Sequence, residues 1–307
     1  MMKRFIKKVP IPLSGLMLAT AALGNLLQSY SDIIRYICGM LSFILLILLV
    51  LKLVLFSKVV KEELRQPVSA CVSVTFPMGL MLLSVYAKPI LGDISRIIWY
   101  MAMFLHISIM IYVTYLFVRR WDIREVFASL FVVYVGINMV GITAPVYGKE
   151  AIGTAAFIFG FVSFLILLPL ISYRYIKYKK MPDSAKPLVC IFASPGALCL
   201  TAYLQSIGDK DVRLVIFLLV LEGLLYLFVI IRLIPCLKLK FYPSYASFTF
   251  PFVISATAMK QAAVWFTSIG MTWPYLSYIA LVQTIIATLL VTYTLIRYIQ
   301  FLFCQAK

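Results

Sequence analysis

The stretch Ser247-Phe248-Thr249-Phe250-Pro251-Phe252 decides how the rest of the chain is read. It places a proline inside an apolar run long enough to cross a bilayer, with a ring immediately before it. Proline removes one backbone donor and clashes with the carbonyl four residues back, here that of Ser247, so a helix through it must bend. Lipid tolerates such a break only where neighbouring helices or a water-filled cavity take up the freed group. A bent helix that turns a phenylalanine outward is a candidate for the wall of a pore.

Working outward, the solvent is the first question. The chain has 307 residues, is 64% hydrophobic and has a mean hydropathy of +1.03. A water-soluble domain of this size cannot hide that much apolar side chain, and a bilayer is the solvent that suits it. Hydropathy predicts ten spans, at about 11–30, 33–55, 67–86, 94–118, 126–144, 150–173, 187–206, 212–234, 243–266 and 275–301. The basic opening Met1-Met2-Lys3-Arg4 leads into the first span without a small-residue cleavage motif, so residues 1–307 read as one transmembrane domain.

The net charge of +17 would suggest nucleic acid in a soluble protein. Here its distribution points elsewhere. Three-quarters of the 28 lysines and arginines fall on one side of the ten alternating spans, the positive-inside pattern with both termini cytoplasmic. The six cysteines lie in or beside spans with no C-x-x-C pair and read as small apolar residues with free thiols. No metal-ligand spacing occurs, and the composition calls for no cofactor.

The opening stretch has echoes. Ser73-Val74-Thr75-Phe76-Pro77-Met78 in the third span is almost a copy, Phe192-Ala193-Ser194-Pro195-Gly196 interrupts the seventh, and Pro10-Ile11-Pro12-Leu13-Ser14-Gly15 opens the first. The spacing of Pro12, Pro77, Pro195 and Pro251 implies a period near 60 residues, with a missing member at Val133-Tyr134-Val135-Gly136 in the fifth span. Every odd span is interrupted and the even spans run long. This predicts an all-α membrane protein of five helical hairpins in a quasi-five-fold ring, with the odd helices lining an axis. Gly15-x-x-x-Ala19 and Thr20-x-x-x-Gly24 have the small-residue spacing that lets membrane helices approach closely.

Ile11-Pro12-Leu13 leading into Gly15, together with Thr75-Phe76-Pro77 and Thr249-Phe250-Pro251, resembles the tellurite-resistance/dicarboxylate transporter family, that of TehA and the slow anion channels. The resemblance covers essentially the whole chain. It implies a passive anion channel in the cytoplasmic membrane, assembled as a homotrimer with one pore per subunit. It also implies occlusion by a phenylalanine of the ninth helix, which by position is Phe250, with Phe248 and Phe252 as neighbouring alternatives. Chloride and nitrate, with malate and tellurite beyond them, are the anions it suggests. The departures are Val133, where many relatives carry the fifth proline, and the lack of the long tails that carry phosphoregulation in the plant channels. A proton-coupled C4-dicarboxylate carrier or an oxyanion exporter is the alternative activity.

Other residues are weighed against this reading. Phe76 echoes Phe250 and reads as packing before gating. Pro12, Gly15, Pro77, Val133, Pro195, Gly196, Thr249 and Pro251 are the candidate kink or pore-lining positions. Glu222 and His106 lie near the middle of even spans, where ionisable groups are costly and suggest function, here proton coupling for Glu222. Lys260 lies roughly 13 Å along the helix beyond Pro251, at 1.5 Å per residue, and either charges the outer mouth or snorkels to the headgroups. At the cytoplasmic mouth, lysines and arginines such as Lys58, Lys61, Arg65, Arg119, Arg120 and Arg124 would concentrate anions. The single histidine rules out H-E-x-x-H chemistry, and no Walker or Rossmann glycine pattern occurs, so the chain does not read as an enzyme.

Overall fold

A computed structural model of the chain describes residues 2–119 and 122–304; Arg120 lies outside them. The described residues are helical throughout, with no strand among them. Ten crossings follow in order: α1 (Leu13–Leu27), α2 (Asp32–Leu55), α3 (Pro67–Leu91), α4 (Ile94–Arg119), α5 (Ser129–Tyr147), α6 (Glu150–Lys177), α7 (Asp183–Ser206), α8 (Val212–Leu237), α9 (Phe250–Ser268) and α10 (Pro274–Cys304). Among the described residues, eight segments are long and apolar enough to span a membrane. The helices α1 and α9 are not among them; the 15 residues of α1 cover only about 22 Å at 1.5 Å per residue.

The odd helices touch in a closed cycle, α1 to α3, α3 to α5, α5 to α7, α7 to α9 and α9 back to α1. Each even helix packs on the odd helix before it and on the next one along the cycle. Burial follows this layering. The richest apolar window of α7 is 94% buried and that of α8 only 33%. The outer helices expose an apolar belt that includes Met40, Phe104, Ile166, Leu224 and Leu289. A continuous apolar surface around a whole molecule has no aqueous explanation, and the chain is a multi-pass membrane protein. Because the inner helices are shielded by the outer ones, α1 need not match the hydrocarbon thickness.

The interruptions differ in kind from the bend expected of a proline inside an α-helix. A 3₁₀ segment, Pro243–Phe248, leads to a junction at Thr249 (φ −109°, ψ −85°), and the α-helix restarts at Phe250 with Pro251 in its first turn. Proline costs little there, since the first-turn amides have no helical acceptor in any case. The seventh helix repeats the arrangement, with 3₁₀ structure over Asp183–Ala193 and α-helix from Ser194. In α5 a 3₁₀ turn, Val135–Ile137, supplies the break without proline. A Cβ on Gly136 would meet Met78 Sδ at 2.9 Å and the His106 ring at 3.3 Å, so glycine gives the Met78 side chain room that a larger residue would make it yield.

Hydroxyls answer the carbonyls at these breaks. Ser14 donates to Ile11 O at 2.8 Å, Thr75 to Val72 O at 2.8 Å, Ser194 to Ile191 O at 2.8 Å and Thr249 to Ala246 O at 2.6 Å. Others cross the ring: Ser247 donates to Pro187 O at 2.6 Å and Ser255 to Ala193 O at 3.0 Å. Neighbouring helices thus satisfy the backbone that the 3₁₀ turns release, as a span in lipid requires.

At the lysine-rich end of the bundle, Lys52 of α2 is 3% exposed and holds Glu63 at 2.6 Å. Removing one member of such a pair strands the buried charge. Because Glu63 keeps 33% of its side chain in solvent, Glu63→Gln is expected to cost about 1–2 kcal/mol, well below the value for a fully buried pair. A lower melting temperature in detergent that Lys52→Met restores in the double variant is the check.

Candidate functional site

All five odd helices contribute to one axial cavity. Its wall is Pro12 and Gly15 of the first, Val72, Thr75 and Met78 of the third, Val132 of the fifth, Leu188, Ile191, Ser194 and Leu198 of the seventh, and Ser244, Ala246, Ser247, Phe250 and Pro251 of the ninth. Among the described residues, no even helix and no charged side chain lines it. The space open to the centre of a water-sized sphere is about 40 Å³. At roughly 10–15 Å³ for each water, that admits a few waters and no hydrated anion.

Of the predicted positions, Pro12, Gly15, Phe250 and Pro251 lie on this wall. Phe76, Pro77, Val133, Pro195, Gly196 and Thr249 do not; the wall at those levels is made by Thr75, Met78, Val132, Ser194 and Leu198. Phe76 is partly buried against the surrounding core. Gly196 faces outward to α8, where a Cβ would stand 3.3 Å from Glu222 Cα.

The three aromatics of the opening stretch part company. Phe248 is fully buried, its ring 4.6 Å from that of Tyr245. Phe252 is also fully buried, edge-on to Tyr226 at 5.7 Å. Phe250 alone of the three lines the cavity, 5% exposed. The hydroxyls of Thr75, Ser194, Ser244 and Ser247 are the polar groups of the wall; the Thr75 and Ser14 oxygens lie 2.6 Å apart, so one of the two can donate to the other in place of its backbone carbonyl. A serine or threonine one or two residues before each proline was the sequence signal for three of the hydroxyls at the breaks, Thr75, Ser194 and Thr249.

The ionisable candidates lie off the axis. His106 of α4 is buried, with Nε2 3.0 Å from Val133 O and Nδ1 without a partner. Glu222 of α8 is buried, and neither carboxyl oxygen has a hydrogen-bond partner. The Ser255 hydroxyl is close enough to act on that carboxyl but is committed to Ala193 O. Lys260 stands near the middle of α9, bonded to Leu26 O at 3.0 Å and to the Ser29 hydroxyl.

The lysine-rich end carries less free charge than a count of its side chains suggests. Arg124 pairs with Asp122 at 2.8 Å, and its hydrogen bonds hold the Asp122 carboxyl below its ordinary range. Lys186 pairs with Asp183 at 2.6 Å. Among the described cysteines, Cys38, Cys71, Cys190, Cys199 and Cys236 are free. The family model described as SLAC1, voltage-dependent anion channel, matches residues 8–299. No curated protein matches the chain significantly.

Proposed function

The chain belongs to the SLAC1, voltage-dependent anion channel, family, and from that premise we propose that it is a passive channel for small anions, closed in this structure by the Phe250 ring. The observation that carries the reading is the axial cavity: five broken helices enclose it, and Phe250 is its one aromatic lining residue. An apolar constriction of this kind blocks ions by expelling the water column. With a wall free of charge, anions that shed water easily pass best, so nitrate precedes chloride, and malate and tellurite are the larger candidates. The positive-inside pattern supports a cytoplasmic lysine-rich end, and the cytoplasmic membrane is the one this reading assigns. A homotrimer with one axis per subunit completes the proposal.

One observation favours a second reading, a proton-coupled carrier. The buried, unpartnered carboxyl of Glu222 lies directly behind the ring helices. Flux in proteoliposomes separates the two. A channel carries anion current that follows voltage, is unaffected by collapsing the proton gradient and ranks nitrate above chloride. Uptake that stops when the gradient is collapsed, or that accepts a single dicarboxylate, replaces the channel by the carrier.

A further inference from the structure

At the end of the ring opposite the lysine-rich one there is a second and larger cavity, of about 550 Å³ by the same measure. It lies among the C-terminal turns of α1, α7 and α9. Its polar wall is built of neutral groups, among them Asn25, Gln28, Gln205 and Gln261, together with two lysines, Lys210 and Lys260. Among the described residues no carboxylate lines it. Asp211, next to Lys210 in sequence, instead caps α8 by accepting from the Arg213 amide at 2.7 Å.

This position would ordinarily repel anions. Each helix C-terminus presents unpaired carbonyls worth about half a negative charge, and three of them converge here. The two lysines reverse that sign. Lys260 donates to Leu26 O in the last turn of α1 and to Ser29, and its ammonium lies over the Tyr30 ring at 4.8 Å. Lys210 donates to Ile207 O, just past the end of α7, at 2.6 Å, and to Gly208 O at 3.3 Å. Among the described residues neither lysine is in an ion pair. Both ammonium groups are therefore anchored by neutral acceptors and keep their charge towards the cavity. The Oε1 of Gln261, also on the wall, is buried without a partner, so its carboxamide is not locked into a protein network.

We propose that this cavity is an anion-binding antechamber, in which Lys210 and Lys260 hold small carboxylates or oxyanions and favour a doubly charged ligand over a singly charged one. The inference rests on the reading of this axis as an anion path and adds to it a saturable site before the constriction. Its size admits an anion of several heavy atoms, whereas the 40 Å³ cavity behind the Phe250 ring does not.

Trp265 lines the antechamber and reports on it without any transport measurement. Purified full-length protein in nanodiscs is titrated with succinate and with acetate at constant ionic strength, and tryptophan emission is read. The expected result is a saturable change that is absent in Trp265→Phe. At about 6 Å in a water-like dielectric, one lysine charge changes affinity roughly tenfold for a dianion and roughly threefold for a monoanion. Lys260→Gln and Lys210→Gln are each expected to weaken succinate by about that factor, and acetate less, while Lys260→Arg keeps the affinity. Midpoints within twofold of the parent in both Gln variants, equal shifts for the two anions, or a change that never saturates would overturn the proposal. Saturable, lysine-dependent binding in a protein that passes no anion current leaves the site standing and removes the channel reading instead.

Discussion

Phe250→Ala is expected to raise steady anion conductance by at least tenfold at normal surface expression, measured as current per copy in proteoliposomes. The ring is the bulkiest group on the wall of a cavity that admits only a few waters, so its removal widens that cavity at its narrowest side chain. A tenfold rise requires the barrier to fall by about 1.4 kcal/mol, a modest demand on the removal of an apolar plug from a dewetted constriction. The same substitution removes a buried side chain and is expected to cost about 3 kcal/mol of stability, which alone could produce leak. Phe248→Ala and Phe252→Ala supply the control. Both rings are fully buried away from the cavity, so both substitutions lose comparable stability. They are expected to leave conductance near the parent level. Equal leak in all three variants would make Phe250 a packing residue.

The repeat was legible because it is written in local chemistry. Thr75-Phe76-Pro77 and Thr249-Phe250-Pro251 break their helices by the same rule, and a period near 60 residues predicts the closed cycle that the odd helices form. What the sequence did not resolve is which residue of each break faces the axis. A 3₁₀ turn advances 120° per residue and an α-turn 100°, so a face extrapolated through the junction drifts away from its α-helical register. In the third and fifth helices the choice is one of ordinary α-helical face: Thr75 and Met78, three residues apart, share the side that lines the cavity while Phe76 and Pro77 between them do not, and Val132 lines it in place of Val133. The nature of the break was misjudged for a related reason. Pro251 suits the first turn of a new α-helix as readily as it bends an old one, and only the 3₁₀ segment before it distinguishes the two. For Lys260 the sequence left two roles open, charging the outer mouth or snorkelling, and could not supply the anchor that fixes its position, since the acceptor, Leu26 O, lies 234 residues away in sequence.

Glu222→Leu is expected to stabilise the protein by about 1–3 kcal/mol and to leave anion conductance unchanged. Two carboxyl oxygens buried without hydrogen bonds carry an unrecovered desolvation cost of that size, and leucine fills a similar volume without it. Gly196 presses against the Glu222 backbone from α7 and the Ser255 hydroxyl is committed to Ala193 O, so the unpartnered Tyr226 hydroxyl one turn along is the donor nearest at hand for a rearrangement. Acids are retained in such places either because they bind a proton during function or because selection tolerates the cost. Thermal melts and flux on Glu222→Leu and Glu222→Gln separate these reasons. A stabilised Leu variant that conducts like the parent assigns the acid no part in transport and leaves the passive channel intact. Gln and Leu variants that fold normally yet lose uptake driven by a proton gradient would make Glu222 the proton site of a carrier. The Phe250 ring would then close one face of an alternating-access cycle in place of a pore.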